Sequence, residues 1–189
     1  FGCTPRHALA YFDAIHRAAP DLDLVCHVYP AWTRAAYSSQ LLADLAFADI
    51  VLWVPSSEGS FVAVSHARPS SSATLFYRDF IGQAIKPEWK AQVTEAFETS
   101  RIVDTSAPDW YEETPTRVRA VPVLRRLSPS GSATTPTPIA VITRHTNLSE
   151  ARTPSRQELT FNECANDLFA MIASGDFPDL GAPSGPRRG

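Results

Sequence analysis

Five histidines (His7, His16, His27, His66 and His145) and three cysteines (Cys3, Cys26 and Cys164) are the side chains here best suited to ligate a metal or carry a covalent step. Metal sites need such residues at short, fixed spacings, and only the adjacent Cys26–His27 pair comes close, so no metal site is expected. There is no Walker loop, no G-x-G-x-x-G after a strand, no H-E-x-x-H and no G-x-S-x-G. With no nucleophile and base to pair, the chain itself is expected not to be an enzyme. The chemistry that remains is recognition: aromatic rings stack on planar groups, and arginines pair with phosphate or carboxylate. Arg117, Arg119, Arg125 and Arg126 also stand opposite an acidic run (Asp104, Asp109, Glu112, Glu113), and a salt-bridged surface accounts for them equally well.

Bulk properties restrict the class. A chain of 189 residues suffices for one domain with extensions, burying roughly two-thirds of its unfolded surface. A net charge of −3 with interspersed signs argues against nucleic acid or a polybasic membrane contact. The longest apolar stretch, 40–54, is interrupted by Asp44 and Asp49, so no membrane span is expected. Three cysteines without C-x-x-C spacing fit a reducing compartment, with the cytoplasm as the default. Lacking an initiator Met and a basic leader, Phe1 is expected to mark a boundary rather than a natural start.

The elements that would position these residues follow from periodicity. Helices are expected over 5–18 and 33–47, the second with Leu41, Leu42, Leu45 and Ala46 on one side, while 21–30 reads as either strand or loop. Ile50–Val54 reads as a buried strand, Ser56–Ser60 as a turn, Phe61–Arg68 as a strand and Thr74–Asp79 as a third strand. Pro87 opens a helix with Trp89, Val93, Ala96 and Phe97 on one face, and Ile102–Val103 is a short strand. Arg117–Arg126 alternates like a strand, with Pro122 restricting it to an edge or bulge, and Ile139–His145 is the last strand after a Ser/Thr/Pro-rich loop. A long helix then runs from Pro154 at its first position, capped by Thr153, to a stop at Gly175. Its apolar face is read as Phe161, Cys164, Ala165, Leu168, Met171 and Ile172. It contains no histidine, so no phosphoacceptor is expected on it. The order predicts an α+β layer, an antiparallel sheet with terminal helices on one face and a helix and loop layer on the other.

Three stretches carry a family resemblance. QLLADLAFAD followed by IVLWV (40–54), RIVDTSAPDW (101–110) and VITRHTNLSEARTPSRQELTFNECANDLFAMIASGDFPD (141–179) are similar to the N-terminal GAF domain of actinobacterial PdtaS-type sensor histidine kinases. The likeness covers about residues 38–179 and implies a GAF-like antiparallel sheet of five to six strands. It leaves 1–37 as an N-terminal extension and 180–189 as a Pro/Gly linker. In that family the GAF domain precedes a PAS domain and a kinase core that uses ATP and Mg. The kinase phosphorylates a response regulator with an ANTAR output, which makes two-component signalling the implied setting.

The resemblance also implies a small-molecule pocket between the sheet and the opposite layer. Its candidate lining is Trp53, His66, Arg68, Phe80, Trp89, Trp110, Tyr111, Arg119 and His145. Cyclic nucleotides or dinucleotides are the ligands it suggests first, whereas haem would ask for an axial histidine facing a large apolar cavity. Trp53 and Trp89 read equally as core residues, and His66 and His145 as solvated hydrogen-bonding groups at strand ends. A second role for the same module needs no ligand: the helical stripes, with Leu41, Leu45, Leu168 and Met171, would meet a second copy as a two-fold dimer.

Overall fold

The structure is a computed structural model, and it describes residues 39–56, 59–105, 108–125, 136–149 and 153–176. The expectations for the 5–18 helix, the 21–30 segment, residues 128–135 of the Ser/Thr/Pro-rich loop read over 128–138, and the 180–189 linker lie outside these residues. So do Cys3, Cys26, His7, His16 and His27.

A helical segment over 39–46 (α1) leads into strand Asp49–Pro55 (β1). Phe61–Ala67 (β2) follows, then helix Pro87–Thr99 (α2), and short strands Val103–Asp104 (β3) and Asp109–Tyr111 (β4). Two long strands, Thr114–Arg125 (β5) and Thr137–Asn147 (β6), precede helix Arg156–Ser174 (α3). The sheet order is β2-β1-β6-β5-β3, with β4 also on β5, and every pairing is antiparallel. The α+β, GAF-like architecture expected from the sequence is the one observed.

Both faces of this sheet are covered, which explains why β1 reads as a continuous apolar run rather than an alternating one. Ile50, Leu52 and Val54 point to the face packed by Leu42, Ala43 and Ala46 of α1 and by Ala165, Phe169 and Ile172 of α3. Val51 and Trp53 point to the other face, against Trp89, Val93 and Ala96 of α2 and the irregular 68–86 segment. β6 divides in the same way, with Ala140 and Ile142 towards α1 and α3 and Val141 on the opposite side.

Local chemistry adjusts several boundaries. The N-cap of α3 is Ser155, not Thr153: its hydroxyl accepts from Glu158 N–H, while the Glu158 carboxylate accepts from Ser155 N–H, and Pro154 stays outside the helix. Gly175 ends it at φ 76°. Its buried stripe is Ala165, Phe169 and Ile172, a four-then-three spacing. Phe161, Cys164 and Met171 lie on an exposed flank of the same helix.

Thr74–Asp79 is not a strand. The partners of its backbone are side chains: Asp49 takes the Leu75 N–H and Arg68 donates to the Phe76 carbonyl, so a ladder is not needed. β5 starts earlier than expected, where Thr114–Thr116 pairs with β4. Pro122 pairs with Val141 of β6, and beyond Ala120 no described strand lies on the other side of β5, so the missing N–H can face that edge.

The connection from α1 to β1 consists of two residues. Phe47 adopts φ 48°, Ala48 N–H donates to the Ala43 carbonyl at 3.2 Å, and the Phe47 ring stacks on Phe161 of α3 with centroids 6.3 Å apart.

Candidate functional site

The face away from α1 and α3 carries an aromatic cage. Alternation along β1 and β6 aims Asp49, Trp53, Thr143 and His145 into it, and β2 adds His66. Trp89 enters from the first turn of α2, Tyr111 from β4, and Phe76 and Phe80 from the 68–86 segment. Phe76 is the centre. Its ring lies 4.8 Å from those of Phe80, Tyr111 and His145, 5.6 Å from Trp89 and 5.7 Å from His66, mostly edge to face. Lys86 sits over the rim, with Nζ 4.5 Å from the Tyr111 ring centroid and 5.4 Å from that of Trp89.

Polar groups are set into this apolar wall. The Thr143 hydroxyl oxygen accepts from Trp53 Nε1–H at 2.8 Å and lies 2.9 Å from His145 Nε2, and all three residues are fully buried. Burial pushes the pKa of His145 down to about 3; neighbouring His66 and Lys86 act in the same direction, and Asp49 opposes them. The ring is therefore neutral at ordinary pH. Thr143 has one hydroxyl proton, so it either donates to Nε2 or accepts from it. In both arrangements His145 Nδ1 is left without a partner.

Asp49 is buried and both of its oxygens are used: Oδ1 accepts from Thr74 Oγ1–H at 2.5 Å and Oδ2 from Leu75 N–H at 2.7 Å. His66 lies between this carboxylate and that of Asp79. Its Nε2 is 3.6 Å from Asp49 and its Nδ1 3.5 Å from Asp79, and neither nitrogen makes a hydrogen bond. Arg68 closes the outer end, donating from Nε to the Phe76 carbonyl at 2.7 Å and pairing with Asp79 at 2.9 Å. Unpaired buried polar atoms cost about 1–3 kcal/mol each, so their concentration here is what a ligand site would show.

Of the candidate lining residues, the fold brings Trp53, His66, Phe80, Trp89, Tyr111 and His145 together, with Arg68 at the margin. His66 and His145 are not solvated strand-end groups, because the 68–86 segment covers both side chains. Trp110 is 66% exposed, since its neighbour Tyr111 takes the inward position on β4. Arg119 lies on the opposite face, where it pairs with Asp104 at 2.7 Å and donates to Asn166 of α3. Of the helix candidates, Leu41 and Met171 are exposed, whereas Leu45 and Leu168 pack partly into the core.

Asp49, Phe76, Thr143 and Lys86 were not singled out by sequence. Asp49 had a signal: a carboxylate at the head of an apolar strand has to find donors. Nothing in the spacing marked Phe76.

On the other face, Arg144 of β6 ties the helices to the strand that carries Thr143 and His145. Its Nη2 donates to the Ala46 carbonyl at the end of α1 at 3.0 Å and to Asn162 of α3 at 2.7 Å. Burial, then the nearby Arg119, lowers its pKa to about 10, which leaves it charged.

The profile of the family described as "Histidine kinase PdtaS, GAF domain" matches residues 32–165. This chain belongs to that family. The sensor histidine kinase PdtaS of Mycolicibacterium smegmatis is 35% identical over 157 residues, covering 79% of this chain and 30% of the relative. The protein of the same name from Mycobacterium tuberculosis is 31% identical over 162 residues with the same coverage. The chain thus spans under a third of the length of these relatives. Among solved structures, one titled "Sensor region of a sensor histidine kinase" superposes with a TM-score of 0.63 at 24% identity, over 89% of this chain and 54% of that one, and supports the fold. No helix among the described residues of this PdtaS-family GAF domain is long and apolar enough to cross a membrane.

Proposed function

We propose that the chain is the signal-input domain of a cytoplasmic sensor histidine kinase, in which a small molecule held in the aromatic cage biases α1 and α3 and so the kinase. The observation that carries this reading is the fully buried, unpartnered His145 Nδ1 inside a wall of rings. Coupling follows from the alternation of β6: residues 143 and 145 face the cage and Arg144 holds both helices, so a shift of the strand reaches all three. A ligand acts only through its differential affinity for two arrangements, and a few kcal/mol suffice. In this reading residues 38–179 form the sensor unit, 180–189 tether it to PAS and kinase regions, and the parent uses ATP and Mg to phosphorylate an ANTAR-type response regulator.

The test is a thermal-shift screen of this chain against cyclic mono- and dinucleotides, haem, divalent metals and common metabolites. A compound at about 100 times its Kd adds about 2.7 kcal/mol, a rise of several degrees. A saturable shift that is lost on substitution of Trp89 or His145 supports the reading, and no shift across the panel refutes it for these classes. A second reading rests on the exposed Leu41, Phe161 and Met171, which would meet a second copy in a ligand-free dimer. Light scattering across dilution decides it, and a monomer at every concentration removes it.

A further inference from the structure

Three residues in a row on the 68–86 segment perform what a ligand would have to perform. Thr74 Oγ1–H and Leu75 N–H place two donors side by side on the two oxygens of buried Asp49, at 2.5 and 2.7 Å. Phe76, the next residue, inserts a planar ring into the cage beside them. The segment has no strand or helix of its own over 68–83, and side chains hold it: Asp49 of β1, Asp44 of α1, which accepts from the Ser70 N–H and hydroxyl, and its own Arg68, which donates to the Phe76 carbonyl.

Taking the cage to be a small-molecule site, as proposed above, we infer that this segment is a built-in occupant which the ligand displaces. The ligand is a planar nitrogen heterocycle whose edge carries two adjacent N–H donors, as in an amino-substituted azole or azine. The ring replaces that of Phe76, and the two donors replace those of Thr74 and Leu75 on Asp49. A displacing molecule without the donor pair would strand a buried carboxylate, which is the costliest group in the site to leave unpaired. Lys86, within 5.6 Å of three cage rings, disfavours a cationic ring and selects the neutral form. His145 Nδ1 supplies one more polar contact to a ring with nitrogen at its far edge.

Binding then competes with the protein's own segment, so loosening that segment tightens the ligand. The experiment is calorimetric titration of this chain, at an alkaline pH where both probes are neutral, with 2-aminobenzimidazole, which has the donor pair, and with benzimidazole, which lacks it. The wild type is expected to bind the amino compound weakly. F76A is expected to bind it at least about tenfold more tightly and to prefer it over benzimidazole by about tenfold, the scale of a hydrogen bond to a charged group. Adding D49N to F76A should erase that preference. T74V, which keeps the ring but removes one donor, should also bind the amino compound more tightly than wild type, and it serves if F76A does not fold. Equal binding of the two probes by F76A, or a preference that survives D49N, overturns the inference. If neither probe binds F76A or T74V while some other compound shifts the wild type, the donor-pair inference fails and the sensor reading stands. If nothing binds wild type or either variant, both fail.

Discussion

Removing the Thr143 hydroxyl is the sharpest probe of how the site is held. Thr143→Val keeps the shape of the side chain, so no cavity forms, but Trp53 Nε1–H loses its acceptor at 2.8 Å and His145 Nε2 its neighbour at 2.9 Å. All three residues are at most 0% exposed, so water cannot replace the lost partner without opening the core. Two stranded groups at about 1–3 kcal/mol each, less a small gain from the added methyl, give a destabilisation of about 3 kcal/mol. In urea, with a slope of about 2 kcal/mol/M, the midpoint should fall by about 1.5 M at unchanged slope, read from tryptophan fluorescence. Thr143→Ser, which keeps the hydroxyl, should lose only about 1 kcal/mol for its missing methyl. In the double variant Trp53→Phe/Thr143→Val one stranded group is gone, so its loss should be smaller than the sum of the single losses by about 1–2 kcal/mol. A Thr143→Val protein within about 0.5 kcal/mol of wild type, or one more stable than Thr143→Ser, would refute the hydrogen-bond account of this wall.

Other expectations are simpler to state. His145 has a folded pKa of about 3 against an ordinary 6.5, so between those values the unfolded chain binds the extra proton. Stability is then complete above about pH 6.5 and declines by about 1.4 kcal/mol per pH unit as the pH falls towards 3, and His145→Gln should remove this part of the slope between pH 7 and 5 in chemical denaturation. Ser155→Ala dismantles the capping box of α3 and should cost about 1 kcal/mol, with hydrogen exchange accelerated in the first turn of that helix. Trp110→Ala, at a ring 66% exposed, should change stability by less than about 0.5 kcal/mol and leave binding to the cage untouched; a larger loss of binding would return Trp110 to the site.

What could be read from the sequence was whatever is local or periodic. β1, β2, β6 and α2 announced themselves through apolar runs and helical spacing, and Gly175 marked its helix end through its conformational freedom. The cage was legible only in part. Trp53, Trp89 and His145 sit on elements whose faces alternate regularly, so a face could be assigned to them. Phe76 sits where the side chains of Asp49 on β1 and of Arg68 replace the ladder, and no periodicity describes that. Arg119 was drawn to the pocket by its charge, but strand parity places it with α3, one residue out of phase with Val118 and Ala120 on the cage side. On α3 the exposed Phe161 and Met171 obscured the stripe centred on Phe169.

The two-residue join between α1 and β1 bears on how α1 would follow the segment over the cage in the proposed sensor. Phe47 is locked by a left-handed backbone and by its stack on Phe161, and the next residue but one is Asp49, whose carboxylate fastens the segment over the cage. A connection with no slack has no soft mode in which to dissipate a displacement. In the proposed sensor, turning α1 would therefore carry the Asp49 anchor with it, and moving the anchor would move α1. In the proposed reading the segment over the cage and α1 are thus the two ends of one short connection, and a segment that lifts leaves no slack by which α1 could stay behind.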